Sequence, residues 1–122
     1  MKRAAKKNNY PDCAVRCVLN RIGDKWSFLI ILTLAKRPYR FGELKREISD
    51  ISQRMLTETL RSLQRDGLVN RTVYSTMPLS VGYSLTEMGA SILEPMMGLV
   101  RWAKEKQPAI EAARIVFDNA QH

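Results

Sequence analysis

Hydrophobic positions recur along this chain with a helical period, then an alternating one, then a helical one again. Val15, Val18, Leu19 and Ile22 form a short helical stripe that opens after Pro11-Asp12 and stops at Gly23. Asp24 can cap a second helix from Lys25 to about Ala35, which Pro38 terminates. Trp26, Phe28, Leu29, Ile30, Ile31, Leu32 and Leu34 cover most of its circumference, which predicts a buried central helix. Phe41, Leu44 and Ile48, at i, i+3 and i+7, predict a small helix from about Arg40 to Ile48 whose other side carries Glu43, Lys45, Arg46 and Glu47. After a break at Ser49-Asp50-Ile51, Ser52 and Gly67 provide both ends of another helix. Within it Leu56, Leu60 and Leu63 form the core stripe, and Arg54, Thr57, Glu58, Arg61 and Arg65 form the opposite one. Two short amphipathic helices joined by a tight turn, the second of them basic, spell a helix-turn-helix at about 40–67.

Beyond Gly67 the period becomes two. Leu68 to Tyr74 and Val81 to Leu85 alternate with β-branched and aromatic residues around a tip at Ser75–Ser80. A hairpin that directly follows the second helix of such a pair is a wing, here at about 68–85. Helical spacing then returns at about 86–119. Thr86-Glu87 can cap a helix through Met88, Ile92 and Leu93. Glu94-Pro95 reads either as a kink or as the first turn of a new segment, and Pro108 is expected to begin a last helix with Ile110, Ala113, Val116 and Phe117. The expected fold is therefore mostly α with a small β-hairpin wing: a winged helix-turn-helix domain over 11–122, preceded by a basic flexible arm at 1–10.

Charge turns this fold toward a partner. Twenty Lys+Arg against twelve Asp+Glu leave a formal +8, which favours a polyanion. Outward-facing arginines with a threonine and a glutamine among them suit phosphates and guanine edges in the major groove of double-stranded DNA. The plainer reading of the same face is a solvated surface helix. For a DNA reader, Arg54 and Arg61 are the expected groove contacts, with Gln53 and Thr57 beside them, and Arg71, Arg65 and Lys45 are expected on phosphates.

The terminal apolar stripes, including Met96, Met97, Leu99, Val100, Trp102 and Ala103, exceed what one core face requires. A homodimer would use that surplus and set two reading helices about 34–36 Å apart, one turn of duplex. The alternative is that both terminal helices cap their own monomer. The Met-rich stripe can also line a pocket, but no motif names a small effector.

Several classes drop out. The only histidine is His122 and no glycine-rich phosphate loop occurs, so neither an enzyme, a metal site nor a cofactor is expected. The acidic residues Glu43, Glu47 and Asp50 read as solvated or as members of surface ion pairs. Positive Met1–Lys7 runs into polar Asn8-Asn9 rather than an apolar signal core, and the run Phe28–Ala35 falls far short of the roughly 20 residues that span a bilayer. Two cysteines make no disulfide scaffold. A cytoplasmic protein without a membrane partner is expected.

The blocks Ile22-Gly23-Asp24-Lys25-Trp26, Arg40-Phe41-Gly42-Glu43-Leu44, Ile51 to Thr57, Leu60 to Val69 and Tyr83 to Gly89 resemble, in order, the HxlR-type winged-helix transcription regulators, relatives of the MarR regulators. The resemblance covers about Cys13 to Trp102. It implies a dimeric, sequence-specific repressor or activator without enzymatic activity, in which Gln53, Arg54, Thr57, Glu58 and Arg61 face the major groove and the N-terminal and last helices build the dimer. The chain departs from the pattern at Ala14, where proline is frequent, at Gly82, where glutamate is frequent, and at Met77-Pro78-Leu79, where a Pro-Pro pair is common.

Some members of that family sense oxidants or electrophiles through the cysteine that Cys13 resembles. A place near a helix N-terminus, with Arg16 one turn on, favours thiolate. Cys17, at i+4, would need a strained intrahelical bridge, so a bond to the other subunit is the easier disulfide. Against redox sensing stands the ordinary role of cysteine as a small buried hydrophobe. Against sequence readout stands a winged-helix interaction module that binds protein or RNA through its basic face.

Overall fold

The computed structural model describes residues 13–121. The arm expected at 1–10, the Pro11-Asp12 opening and the side chains of Cys13, Cys17 and Ile22 lie outside what is described. The elements in chain order are α1 (Cys13–Gly23), α2 (Lys25–Leu34), β1 (Tyr39–Arg40), α3 (Phe41–Glu47), α4 (Gln53–Arg65), β2 (Val69–Tyr74), β3 (Ser80–Leu85), α5 (Glu87–Ser91) and α6 (Leu93–Ala120). This is a winged helix-turn-helix.

Polar side chains define the helix starts, as their positions predict. The Asp24 carboxylate accepts the Trp26 amide at 3.3 Å and the Ser27 hydroxyl at 2.8 Å, so Ser27 is fully buried without an orphan donor. Ser52 accepts the Met55 amide at 3.0 Å and opens α4. Thr86 accepts the Gly89 amide at 2.9 Å and donates to the Gly67 carbonyl at 2.7 Å. One threonine thus starts α5 and fastens it to the turn after α4, which Gly67 closes at φ +80°.

The core lies where α2, α3, α4 and the sheet meet. Ile30, Ile31 and Leu34 of α2 are buried against Leu44, the leucine seam Leu56, Leu60 and Leu63 of α4, and Val69 of β2. Ile51 is buried too, so the break between α3 and α4 is itself packed. The seam inside α4 is what turns its charged side outward.

Three expectations change. The wing is not a free hairpin: β1 adds a third antiparallel strand in the order β1-β3-β2, pairing Tyr39 with Tyr83 and Arg40 with Gly82. Two residues are too few to show a period, and Arg40 therefore leaves the expected helix and becomes the cap residue of α3. Second, Pro95 falls in the first turn of α6, where a missing N–H costs nothing, so Glu94-Pro95 starts a segment rather than kinking one. Third, Pro108 does not begin a helix; α6 runs through it as one helix of 28 residues. The ring forfeits one hydrogen bond at a cost of about 3 kcal/mol, and the carbonyl it strands, on Lys104, lies on an exposed stretch that water can reach.

Only the start of α6 joins the core, through buried Met96 and half-buried Leu93. From residue 101 to residue 121 every position is exposed except half-buried Ile110. The alternative in which the last helix caps its own monomer is therefore contradicted. Among the described residues no helix is long and apolar enough to cross a membrane.

Candidate nucleic-acid interface

Gln53, Arg54, Thr57, Glu58, Arg61 and Arg65 are all exposed on α4. That face has two halves. On one, the Arg54 Nε donates to Glu58 Oε2 at 3.1 Å across one helical turn, with Arg54 88% exposed. Such a solvated pair is worth only about 0.3–0.5 kcal/mol, so Arg54 is free to exchange glutamate for another acceptor. Thr57 donates its hydroxyl to the Gln53 carbonyl at 2.9 Å, which fixes its rotamer.

The other half of α4 turns toward the wing. Thr57, Arg61 and Gln64 of α4 line a groove of about 670 Å³ together with Arg71, Ser80, Val81 and Tyr83 of the sheet and with Arg40 and Phe41. Three arginines and no carboxylate line it. Among the described residues none of Arg40, Arg61 and Arg71 belongs to an ion pair. Two expected contacts are not among the residues that line this groove: Lys45 is half-buried on α3, and Arg65 is exposed in the last turn of α4.

Arg40 is the charged groove residue that sequence reasoning missed, and Gln64 and Ser80 are polar ones. Its guanidinium lies 4.4 Å from the centre of the Tyr74 ring and hydrogen-bonds the Ser80 hydroxyl. Its backbone N–H donates to Glu43 Oε1 at 2.8 Å. That bond first, and then the Arg37 guanidinium, hold the Glu43 carboxyl below its usual range. Glu43 Oε1 is thereby committed to backbone capping and to Arg37, and the charge of Arg40 lowers the pKa of the same carboxyl by a smaller amount. At the far end of α4, Arg21 Nε donates to Asp66 Oδ2 at 2.7 Å, which ties α1 to the C-cap of α4. No group of three or more His, Cys, Asp or Glu side chains is placed to hold a metal ion among the described residues.

Residues 21–111 match the family described as HxlR-like helix-turn-helix. The chain belongs to that family. Its HxlR-like relatives include an HTH-type transcriptional regulator of Methanothermobacter thermautotrophicus, 46% identical over 92 residues that cover 75% of this chain and 70% of that one. Among solved structures, the redox regulator HypR in its oxidized form is 38% identical and superposes with a TM-score of 0.70, covering 76% of this chain and 96% of its own. The reduced form of the transcriptional regulator YodB from B. subtilis is 32% identical with a TM-score of 0.71, covering 79% and 94%. The motif resemblance is thus correct, and this HxlR-like protein is a helix-turn-helix transcriptional regulator.

Proposed function

We propose that the protein is a homodimer that reads a roughly palindromic site in double-stranded DNA and answers oxidants or electrophiles through Cys13. The observation that carries the DNA reading is the outer face of α4, where Arg54 stands beside Gln53 and Thr57 and the acid-free arginine groove continues from Arg61 toward the wing. The first part fits base edges and the second fits backbone. Arg71, Arg65 and Lys45 hold phosphates in this reading.

A second subunit is the partner that suits α6. Helices in proteins draw most of their stability from packing an apolar face, and this one exposes Leu99 and Trp102 and, further on, Ile115, Val116 and Phe117. Val15, Val18 and Leu19 of α1 are exposed as well and extend the same demand for cover.

Footprinting on the DNA upstream of the gene tests the reading. A discrete protected site is expected; equally weak binding to any duplex would favour the interaction module instead. Arg54→Ala is expected to cost about 1–3 kcal/mol on that site and little on random duplex. Equal loss on both would move Arg54 from base reading to phosphate contact.

The redox part is supported by the likeness to a redox regulator and to YodB, which is also known in a diamide-treated form. Cys13 begins α1, and α1 reaches the reading helix through the Arg21–Asp66 bond. Diamide is expected to modify Cys13 and to change affinity for the protected site, with Cys13→Ser insensitive in both respects. Mass spectrometry that finds Cys13 untouched, with affinity constant, would remove the oxidant response and leave the DNA reading intact.

A further inference from the structure

We propose that Arg40 is a phosphate-binding residue, and that with Arg61 and Arg71 it forms a clamp on one strand of the DNA backbone between α4 and the wing. This rests on the DNA-binding reading above and extends it to a residue outside the reading helix.

The chemistry of the groove selects its occupant. Three guanidiniums line one open concavity with no carboxylate among its walls, so an anion is wanted. They come from three separate elements: Arg40 from β1, Arg61 from α4 and Arg71 from β2. A clamp built this way binds an extended chain of charge rather than a single exposed ion. The opening beside a reading helix is also where a duplex backbone would run.

Arg40 is held in place by the sheet. Its register partner in β3 is Gly82, and a Cβ there would lie 2.7 Å from Tyr74 Cε2. The missing side chain lets the Tyr74 ring lie across β3, and the ring then supports the guanidinium of Arg40 from the far strand. Stacking uses the flat face of a guanidinium and leaves its in-plane N–H groups for acceptors. One goes to the Ser80 hydroxyl, a neutral partner that does not cancel the charge.

The test is the salt dependence of binding by the full chain, on the footprinted site and on random duplex. Each phosphate contact contributes about 0.9 to the slope of log K against log salt. Arg40→Gln is expected to lower that slope by about 0.9 per subunit and to weaken both duplexes by the same factor. Arg40→Lys keeps the charge and is expected to keep the slope, a rescue that a purely structural role at the wing base would not produce. An unchanged slope in Arg40→Gln, or a loss confined to the specific site, overturns the proposal. Both results leave the DNA reading standing; that reading fails if the unaltered protein binds no duplex, or binds every duplex equally weakly, and either is seen before any variant is made.

Discussion

With glutamate at both Trp102 and Val116, the protein is expected to sediment as a monomer and to bind its operator at least roughly 100-fold more weakly. These residues belong to a run on α6, Leu99, Trp102, Lys106, Ala109, Ala113 and Val116, spaced by three and four residues, which is the spacing of a helix seam. In the single chain Trp102 is 54% exposed and Val116 68% exposed, so neither substitution removes a core contact and the isolated fold should survive. Across a dimer interface the balance reverses. Each large apolar side chain contributes about 1.5–3 kcal/mol when it is covered, and an unpaired carboxylate in its place must be desolvated. Loss of the second subunit also removes the avidity of two linked half-sites, typically 10²–10⁴ in affinity. Sedimentation and fluorescence anisotropy read the two effects separately. A double variant that stays dimeric and binds normally would show that α6 is not the seam.

Gly89→Ala is expected to cost about 3 kcal/mol or more, which lowers the melting temperature by roughly 10–20 °C. A Cβ at this position would lie 2.0 Å from the Leu68 carbonyl oxygen and 3.0 Å from its carbon. Both are backbone atoms at the junction of α4 and β2, and the oxygen already accepts the Thr86 amide at 3.0 Å. No rotamer relieves the overlap, so α5 must move off the junction and drag the Thr86 bonds to Gly67 and Gly89 with it. Gly98→Ala on α6 is the matched control. Its nearest neighbour is the flexible end of Arg101 at 3.8 Å, and alanine there should be neutral or stabilising by about 0.5–1 kcal/mol. Urea melts of the two variants check both signs; equal stability would mean that the approach at Gly89 is looser than it stands.

The contrast between these two helices also shows how far a linear reading reaches. The seam of α4, its serine cap and its exposed arginines were legible because each depends on residues within a few turns of one another. The aspartate and threonine caps of α2 and α5 were legible for the same reason. The continuation of α6 through Pro108 was not. A proline weakens the local preference, but whether the helix survives depends on what covers the stretch around it.

Local chemistry, then, settled where most of the helices lie, which face of α4 is apolar, and that its outer side is cationic. Periodicity and capping act over a few residues and need no knowledge of the rest of the chain. Only the folded molecule decided that Tyr39 and Arg40 become a strand, because β3 offers an unpaired edge some 40 positions away. The same long-range pairing sets Arg40 on Tyr74, turns Arg61 and Arg71 to one groove, and joins Arg21 to Asp66. Such contacts arise when separate elements are packed at a given register, and no spacing within a single element encodes them.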